Sequence, residues 1–326
     1  MRAVTIAEPG GPEVLTISDV PAPDPGPGDV IIEVAAAGVN RADLLQRTGN
    51  YPPPPSAPAW PGLECAGTIS AVGANVENWQ VGQRAMALLS GGGYAEKVAV
   101  PAGQVMPVPE NLTLNQAAAI PEALATAWAN LVYAGGLTAG MTALIVGGSG
   151  GVGSLAIQLA RLRGARVIAT AGSAERAERC EELGADLGIS YRDEDVVERV
   201  REFTDGQGVD VILDVLGAGA LNENLRMLAT DGTLVIIGMQ KGRKGELDIA
   251  RLMARRAKIV GTTLRSRSIA EKSAIIAEAA ACALPWYENG KMMPVVHGEY
   301  DLADAAQAHR DLDSGDVFGK LVLRVS

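Results

Sequence analysis

Histidine is nearly missing from this sequence: in 326 residues there are two, His297 and His309, both near the C-terminus. A mechanism built on a histidine cluster is excluded at the start, and both residues are read as surface or packing positions. Cysteine is almost as scarce. Cys65, Cys180 and Cys282 stand far apart, which rules out a disulfide framework and suits a reducing, cytoplasmic location. Positive charge is also short, with 28 Lys and Arg against 38 Asp and Glu. No excess of cations remains to neutralise phosphates, which argues against a nucleic-acid partner. The start of the chain, Met1 to Glu8, lacks a long apolar segment, so no signal peptide is read there. From Ala123 to Ala160 there is no charged side chain, but Gly135-Gly136, Gly140 and the glycines from 147 to 153 interrupt it. A membrane span needs about 20 continuous apolar residues in one helix. The stretch therefore reads as helix, turn, buried strand, turn and helix, and no membrane partner is expected.

What is present is an ordinary apolar content of 48%, enough to bury a large core without disulfide or metal staples. The first 120 residues are rich in turns and short β-favouring runs, such as Ala3–Ile6, Val14–Val20, Val30–Ala37 and Leu63–Val72. They predict a mainly antiparallel β domain. Tyr51 heads a stiff loop of four successive prolines followed by Pro58 and Pro61. Past Pro121 the pattern changes, and strand-like runs alternate with helical ones. The strands are read at Thr142–Val146, Arg166–Thr170, Leu187–Ser190, Val209–Val215, Thr233–Gly238 and Lys258–Leu264. That alternation predicts a doubly wound α/β domain with a parallel sheet. A helix over Ala270–Ala283 and a mixed tail complete the chain.

The strand from Thr142 runs into Gly147-Gly148-Ser149-Gly150-Gly151-Val152-Gly153 and then into a helical pattern. The spacing Gly148-x-Gly150-x-x-Gly153, in that strand-to-helix context, is the dinucleotide fingerprint. Its backbone N–H groups, including those of Gly151 and Val152, face a pyrophosphate at a helix N-terminus. At the end of the second strand the sequence is Ala171-Gly172-Ser173-Ala174-Glu175-Arg176. No acid ends that strand to hold a ribose 2′-hydroxyl. Ser173 and Arg176 instead favour a 2′-phosphate, so NADPH is the expected cofactor. Tyr191, after the third strand, is a further candidate for the adenosine phosphate.

These segments resemble the medium-chain dehydrogenase/reductase superfamily, and most of all its zinc-free quinone oxidoreductases, the zeta-crystallin-like group. The resemblance rests on the runs Gly38 to Arg47, Gly62 to Gly67, Gly91 to Glu96 and Ala119-Ile120-Pro121-Glu122. The Gly147–Gly153 loop and Gly319-Lys320-Leu321-Val322 add to it. The runs Gly38 to Arg47 and Ala119 to Glu122 are similar to the stress-inducible NADPH:quinone reductase branch. The resemblance implies a GroES-like catalytic domain from residues 1–120, a Rossmann NADPH-binding domain over 121–264, and a C-terminal return, 265–326, to the catalytic domain. It also implies substrate between the two domains and a homodimer or homotetramer.

Zinc-dependent members hold their metal with a Cys, a His within Gly-His-Glu, and a further Cys or acid. The matching positions here are Asn40 and Gly62-Leu63-Glu64, and leucine cannot ligate zinc. No metal site is expected. Without a Lewis acid the acceptor must already be electron-poor, which points to a quinone and, as the alternative, to an enone or alkenal. A nucleotide-binding protein of weak catalysis, with an RNA-binding or structural role, is the reading from another class. The catalytic candidates are Asn40, to orient nicotinamide or donate to a quinone oxygen, Tyr51, to stack on or donate to the quinone, and Thr126, to bond the carboxamide. Gly238, Met239, Leu264, Arg265, Ser266 and Phe318 complete the expected cofactor contacts. Cys65, close to this set in sequence, is a candidate for alkylation by quinones.

Overall fold

The computed structural model describes residues 1–325, and the chain divides into two compact units. One is Met1–Ala125 with Leu264–Ser326; the other is Thr126–Thr263.

The second unit is a six-stranded parallel sheet. Its spatial order is Leu187–Ser190, Arg166–Ala171, Thr142–Ile145, Val209–Asp214, Leu228–Ile236, Lys258–Gly261. The order turns back at Thr142–Ile145, the strand that carries the glycine motif. Ligands of such sheets lie beyond the carboxyl ends of the strands at that reversal. Leu144, Ile168, Ile189, Ile212 and Leu234 are wholly buried in its core. Ser173 caps the helix Ala174–Glu182, accepting from the Arg176 amide at 3.3 Å, and Asp195 caps Val196–Phe203. The strand expected from Thr233 begins earlier, at Leu228. Asp231, with φ of 66°, kinks its first half, and a turn-prone Asp-Gly pair hides that half from a reading by propensity.

The first unit is built on a sheet ordered Val296–Asp301, Lys320–Arg324, Asp29–Val39, Glu64–Val72, Arg84–Leu88, Val105–Pro107, with Lys97–Pro101 also paired to Asp29–Val39. All pairings are antiparallel except that of Val296–Asp301 with Lys320–Arg324. The two outermost strands of that end come from the tail, so Lys320 lies beside the end of Asp29–Val39, with Leu321 opposite Val39. The long tail helix starts at a capping box, Ser268 with Glu271, and runs over Ile269–Glu288. It passes Ala283 and contains Pro285. Burial of Ala283 and Tyr287 outweighs the hydrogen bond that proline removes.

Candidate active site

In the nucleotide unit the three motif glycines serve different ends. A Cβ at Gly153 would lie 2.2 Å from the Gly147 carbonyl oxygen, and one at Gly148 would lie 2.8 Å from the Ala169 methyl and 3.1 Å from the Cys180 sulfur. Both are therefore bare so that helix and strands pack closely. Gly150 is different: its Cβ would meet only the Gly147 oxygen, at 3.4 Å, leaving its outer face open to a ligand. Gly150 is also the N-cap of the helix Gly151–Leu162, and no side chain caps that end. The leading N–H groups, on Gly151, Val152 and Gly153, are left for an anion. The loop is held by Thr170, whose hydroxyl accepts from Gly147 N at 3.1 Å and whose carbonyl accepts from Gly148 N at 2.8 Å.

Next to it the structure gathers Ser173, Arg176 and Tyr191 around one residue that sequence reasoning passed over. A Cβ on Gly172 would meet the Tyr191 hydroxyl at 3.1 Å and the Arg176 guanidinium at 3.8 Å. Glycine here keeps open the space that these two side chains border. Of the nearby acids, Glu175 is exposed in the first turn of Ala174–Glu182, and Asp193, also exposed, accepts from the Ser190 hydroxyl at 2.5 Å. The cluster thus pairs a hydroxyl and a guanidinium at the end of Arg166–Ala171, a donor set for phosphate rather than for a ribose diol. Gly238 and Met239 follow Leu228–Ile236 at its carboxyl end, where Gly238 lets the backbone pass the Val215 carbonyl and Met239 is exposed. Thr126 is buried; its carbonyl accepts from Asn130 Nδ2 at 2.7 Å, and Asn130 Oδ1 accepts from Thr262.

In the other unit Asn40 lies at the head of a buried polar network. As N-cap of Arg41–Arg47 it forms a capping box with Asp43. Its Nδ2 donates to Glu64 Oε1 at 2.9 Å, and its Oδ1 accepts from Lys320 Nζ at 2.6 Å. Lys320 also donates to Glu64, whose other oxygen accepts from the Glu122 amide at 2.9 Å. Both ends of the Asn40 amide are therefore fixed. Asp43 is wholly buried and accepts from Asn40 N, Gly62 N and the Tyr94 hydroxyl at 2.8, 3.0 and 3.1 Å. Burial raises its pKa from 3.8 to about 6 against the pull of those donors. Beyond Tyr94 stand His309 and Arg47, at 3.2 and 3.3 Å along the chain of contacts. His309 was expected at the surface or in plain packing; it is instead a buried member of this network, with burial lowering its pKa to about 3.

Comparison with known proteins agrees with both halves. Residues 26–110 match the alcohol dehydrogenase GroES-like domain and residues 151–280 the zinc-binding dehydrogenase domain. A quinone oxidoreductase of Pongo abelii is 34% identical over 328 residues, covering 99% of this chain and 97% of that protein. The chain belongs to the medium-chain dehydrogenase/reductase superfamily. Among solved structures, Escherichia coli quinone oxidoreductase complexed with NADPH is similar at 29% identity, with a TM-score of 0.89 and full coverage of both chains. An NAD-dependent alcohol dehydrogenase is similar at 35% identity and a TM-score of 0.88, also over both whole chains.

The zinc named in the family description does not fit these residues. Leu63 is a buried hydrocarbon, the Asn40 amide is held at both ends, and Glu64 is paired with the Lys320 ammonium. Among the described residues no three His, Cys, Asp or Glu side chains stand together as a metal site. Of the remaining candidates, Tyr51 is half-buried with the Arg265 guanidinium 5.3 Å from its ring centre. Arg265 is itself buried and donates to Ser90, Tyr51 and Gln46, so it straps the proline loop to its own unit. Leu264 is half-buried beside it and Ser266 is exposed. Phe318 is buried, with its amide donating to His297 Nδ1 at 3.4 Å. Cys65 is wholly enclosed, and burial together with Glu64 pushes its thiol pKa up. The expected alkylation of Cys65 is therefore corrected, since electrophiles attack an accessible thiolate.

Proposed function

We propose that this chain is an NADPH-dependent reductase of quinones that works without zinc. The observation that carries the reading is that Asn40 and Leu63 stand at the positions where relatives with zinc place ligands, with the Asn40 amide and the neighbouring Glu64 carboxylate both held by the Lys320 ammonium. A site with no room for a Lewis acid demands an acceptor that takes hydride unaided, and quinones do. The choice of NADPH is supported by Ser173, Arg176 and Tyr191 around the bare face of Gly172, and by the NADPH complex of the E. coli relative. Bound NADPH supplies the hydride.

The chain's own residues bind and orient. The N–H groups of Gly151, Val152 and Gly153 cradle the pyrophosphate, and Arg176 and Ser173 receive the 2′-phosphate. Thr126 serves the carboxamide, Gly238 and Met239 border the nicotinamide, and Tyr51 on its stiff loop offers a ring and a hydroxyl to the quinone. Asn40, already bonded on both sides, holds the wall of the site rigid. The test is NADPH oxidation by metal-stripped protein with an ortho-quinone and a simple enone side by side. Turnover of the quinone supports the reading. Turnover of the enone alone transfers the function to alkene reduction on the same scaffold, and turnover of neither ends the catalytic assignment.

A further inference from the structure

Ser90, Arg265 and Lys272 form a cluster with an unusual charge balance. Lys272 is 4% exposed and Arg265 6%. Lys272 Nζ donates to Ser90 Oγ at 2.5 Å. Arg265 Nε donates to the Ser90 carbonyl at 2.7 Å, Nη1 to the Tyr51 carbonyl at 3.2 Å, and Nη2 to Gln46 Oε1 at 2.7 Å. Every one of these acceptors is neutral. Two buried cations thus meet at one serine, and among the described residues no carboxylate bonds to either. Arg265 feels the field of Asp43, whereas the charge that acts on Lys272 is Arg265 itself, which adds to burial in lowering the lysine pKa.

Two further facts sharpen the imbalance. Lys272 sits in the first turn of Ile269–Glu288, the end of a helix where the dipole opposes a cation. An ammonium carries three N–H donors and a guanidinium five, so both cations hold donors beyond those bonded within the cluster. Buried charge without a counter-charge is strongly disfavoured. A small anion seated between the two groups removes all of these costs together. The nature of that anion follows from its neighbour: the Tyr51 ring lies 5.3 Å from the Arg265 guanidinium carbon, so an aromatic face stands beside the charge.

We infer that Lys272 and Arg265 form a socket for the carboxylate of an aromatic acid, and that quinones bearing such a group are preferred acceptors. The preference rests on the reductase reading above; the socket does not. The test uses the full chain and two probes, phenanthrenequinone and its carboxylic acid derivative, with inorganic sulfate as a third. Thermal midpoints are measured for the native protein, Lys272→Met, Lys272→Arg and Ser90→Ala, and KM and kcat for each quinone. The acid derivative is expected to raise the native midpoint more than the neutral quinone, with the difference lost in Lys272→Met and regained in Lys272→Arg. The ratio of KM values, acid to neutral, is expected to rise about tenfold in Lys272→Met, the scale of one charge-assisted hydrogen bond. Equal effects of both quinones, or a difference that survives in Lys272→Met, overturn the socket. A Lys272-dependent shift with sulfate as large as that with the acid derivative overturns the aromatic-acid assignment. If Lys272→Met does not fold, Lys272→Gln, which also removes the charge, carries the same comparison. If the native protein reduces neither quinone, the reductase reading falls while the midpoints still decide the socket.

Discussion

Arg47 can only donate hydrogen bonds, and that fixes the direction of every bond in the row behind Asp43. His309 Nδ1 accepts from Arg47, so Nε2 carries the ring proton and donates to the Tyr94 oxygen, and the Tyr94 hydroxyl donates to Asp43. A second proton on His309 would face the guanidinium, which is why burial and Arg47 together lower its pKa from 6.5 to about 3. The sign follows: neutral His309 contributes stability above its unfolded value of 6.5, and that contribution is lost as pH falls toward about 3. Asp43, raised to about 6, acts oppositely, since its protonated form is favoured by the fold and the chain gains from it between about 6 and 3.8. His309→Gln is expected to flatten the acid limb of a urea-midpoint-against-pH curve; an unchanged limb refutes the assignment. At the other unit's site, Arg176→Ala is expected to raise the KM ratio of NADPH to NADH by about tenfold or more, the scale of a lost phosphate contact. Steady-state kinetics with the two cofactors reads this directly.

Among the elements, the helix Gly151–Leu162 and the loop before it bear most on cofactor binding. Gly153→Ala drives a methyl into the Gly147 carbonyl, whereas Gly150→Ala meets only an ordinary contact. The first substitution is expected to lower the melting temperature by several degrees, since a strain of about 1–3 kcal/mol belongs to such overpacking. The second is expected to weaken NADPH binding with little change in melting; calorimetry with and without cofactor separates them. This loop, the Ser173 cap and the alternation of strands and helices were legible in the sequence because each is local: a glycine spacing, a cap, a period. Gly172 was not, since nothing in its neighbours announces that Tyr191 and Arg176 close over it. The early start of Leu228–Ile236 and the run of the tail helix through Pro285 were missed for a related reason. Packing overrode a turn signal in one and a breaker in the other.

For the molecule as a whole, the polar core of the catalytic unit was the least legible part. Lys320 lies 280 residues from Asn40 along the chain, and His309 lies 262 from Arg47. Only the return of the tail to the sheet edge brings them together. Leu63 and Asn40 told that a zinc ligand set was incomplete; they did not tell that an ammonium would neutralise Glu64. Lys320→Met leaves a buried carboxylate without its cation and is expected to destabilise the fold by about 3–5 kcal/mol, measurable as a fall in the urea midpoint. Incubation with a strong chelator is expected to leave both melting and quinone turnover as they were, and a loss of either contradicts a site closed to zinc.

The enclosure of Cys65 and Cys180 has a consequence for working life. An enzyme fed with quinones bathes in reagents that scavenge thiols, and each turnover offers its own protein as bait. With these two sulfurs sealed inside the fold, and that of Cys180 further quieted by a pKa of about 12, the half-buried Cys282 is the one thiol of the three left open to such reagents.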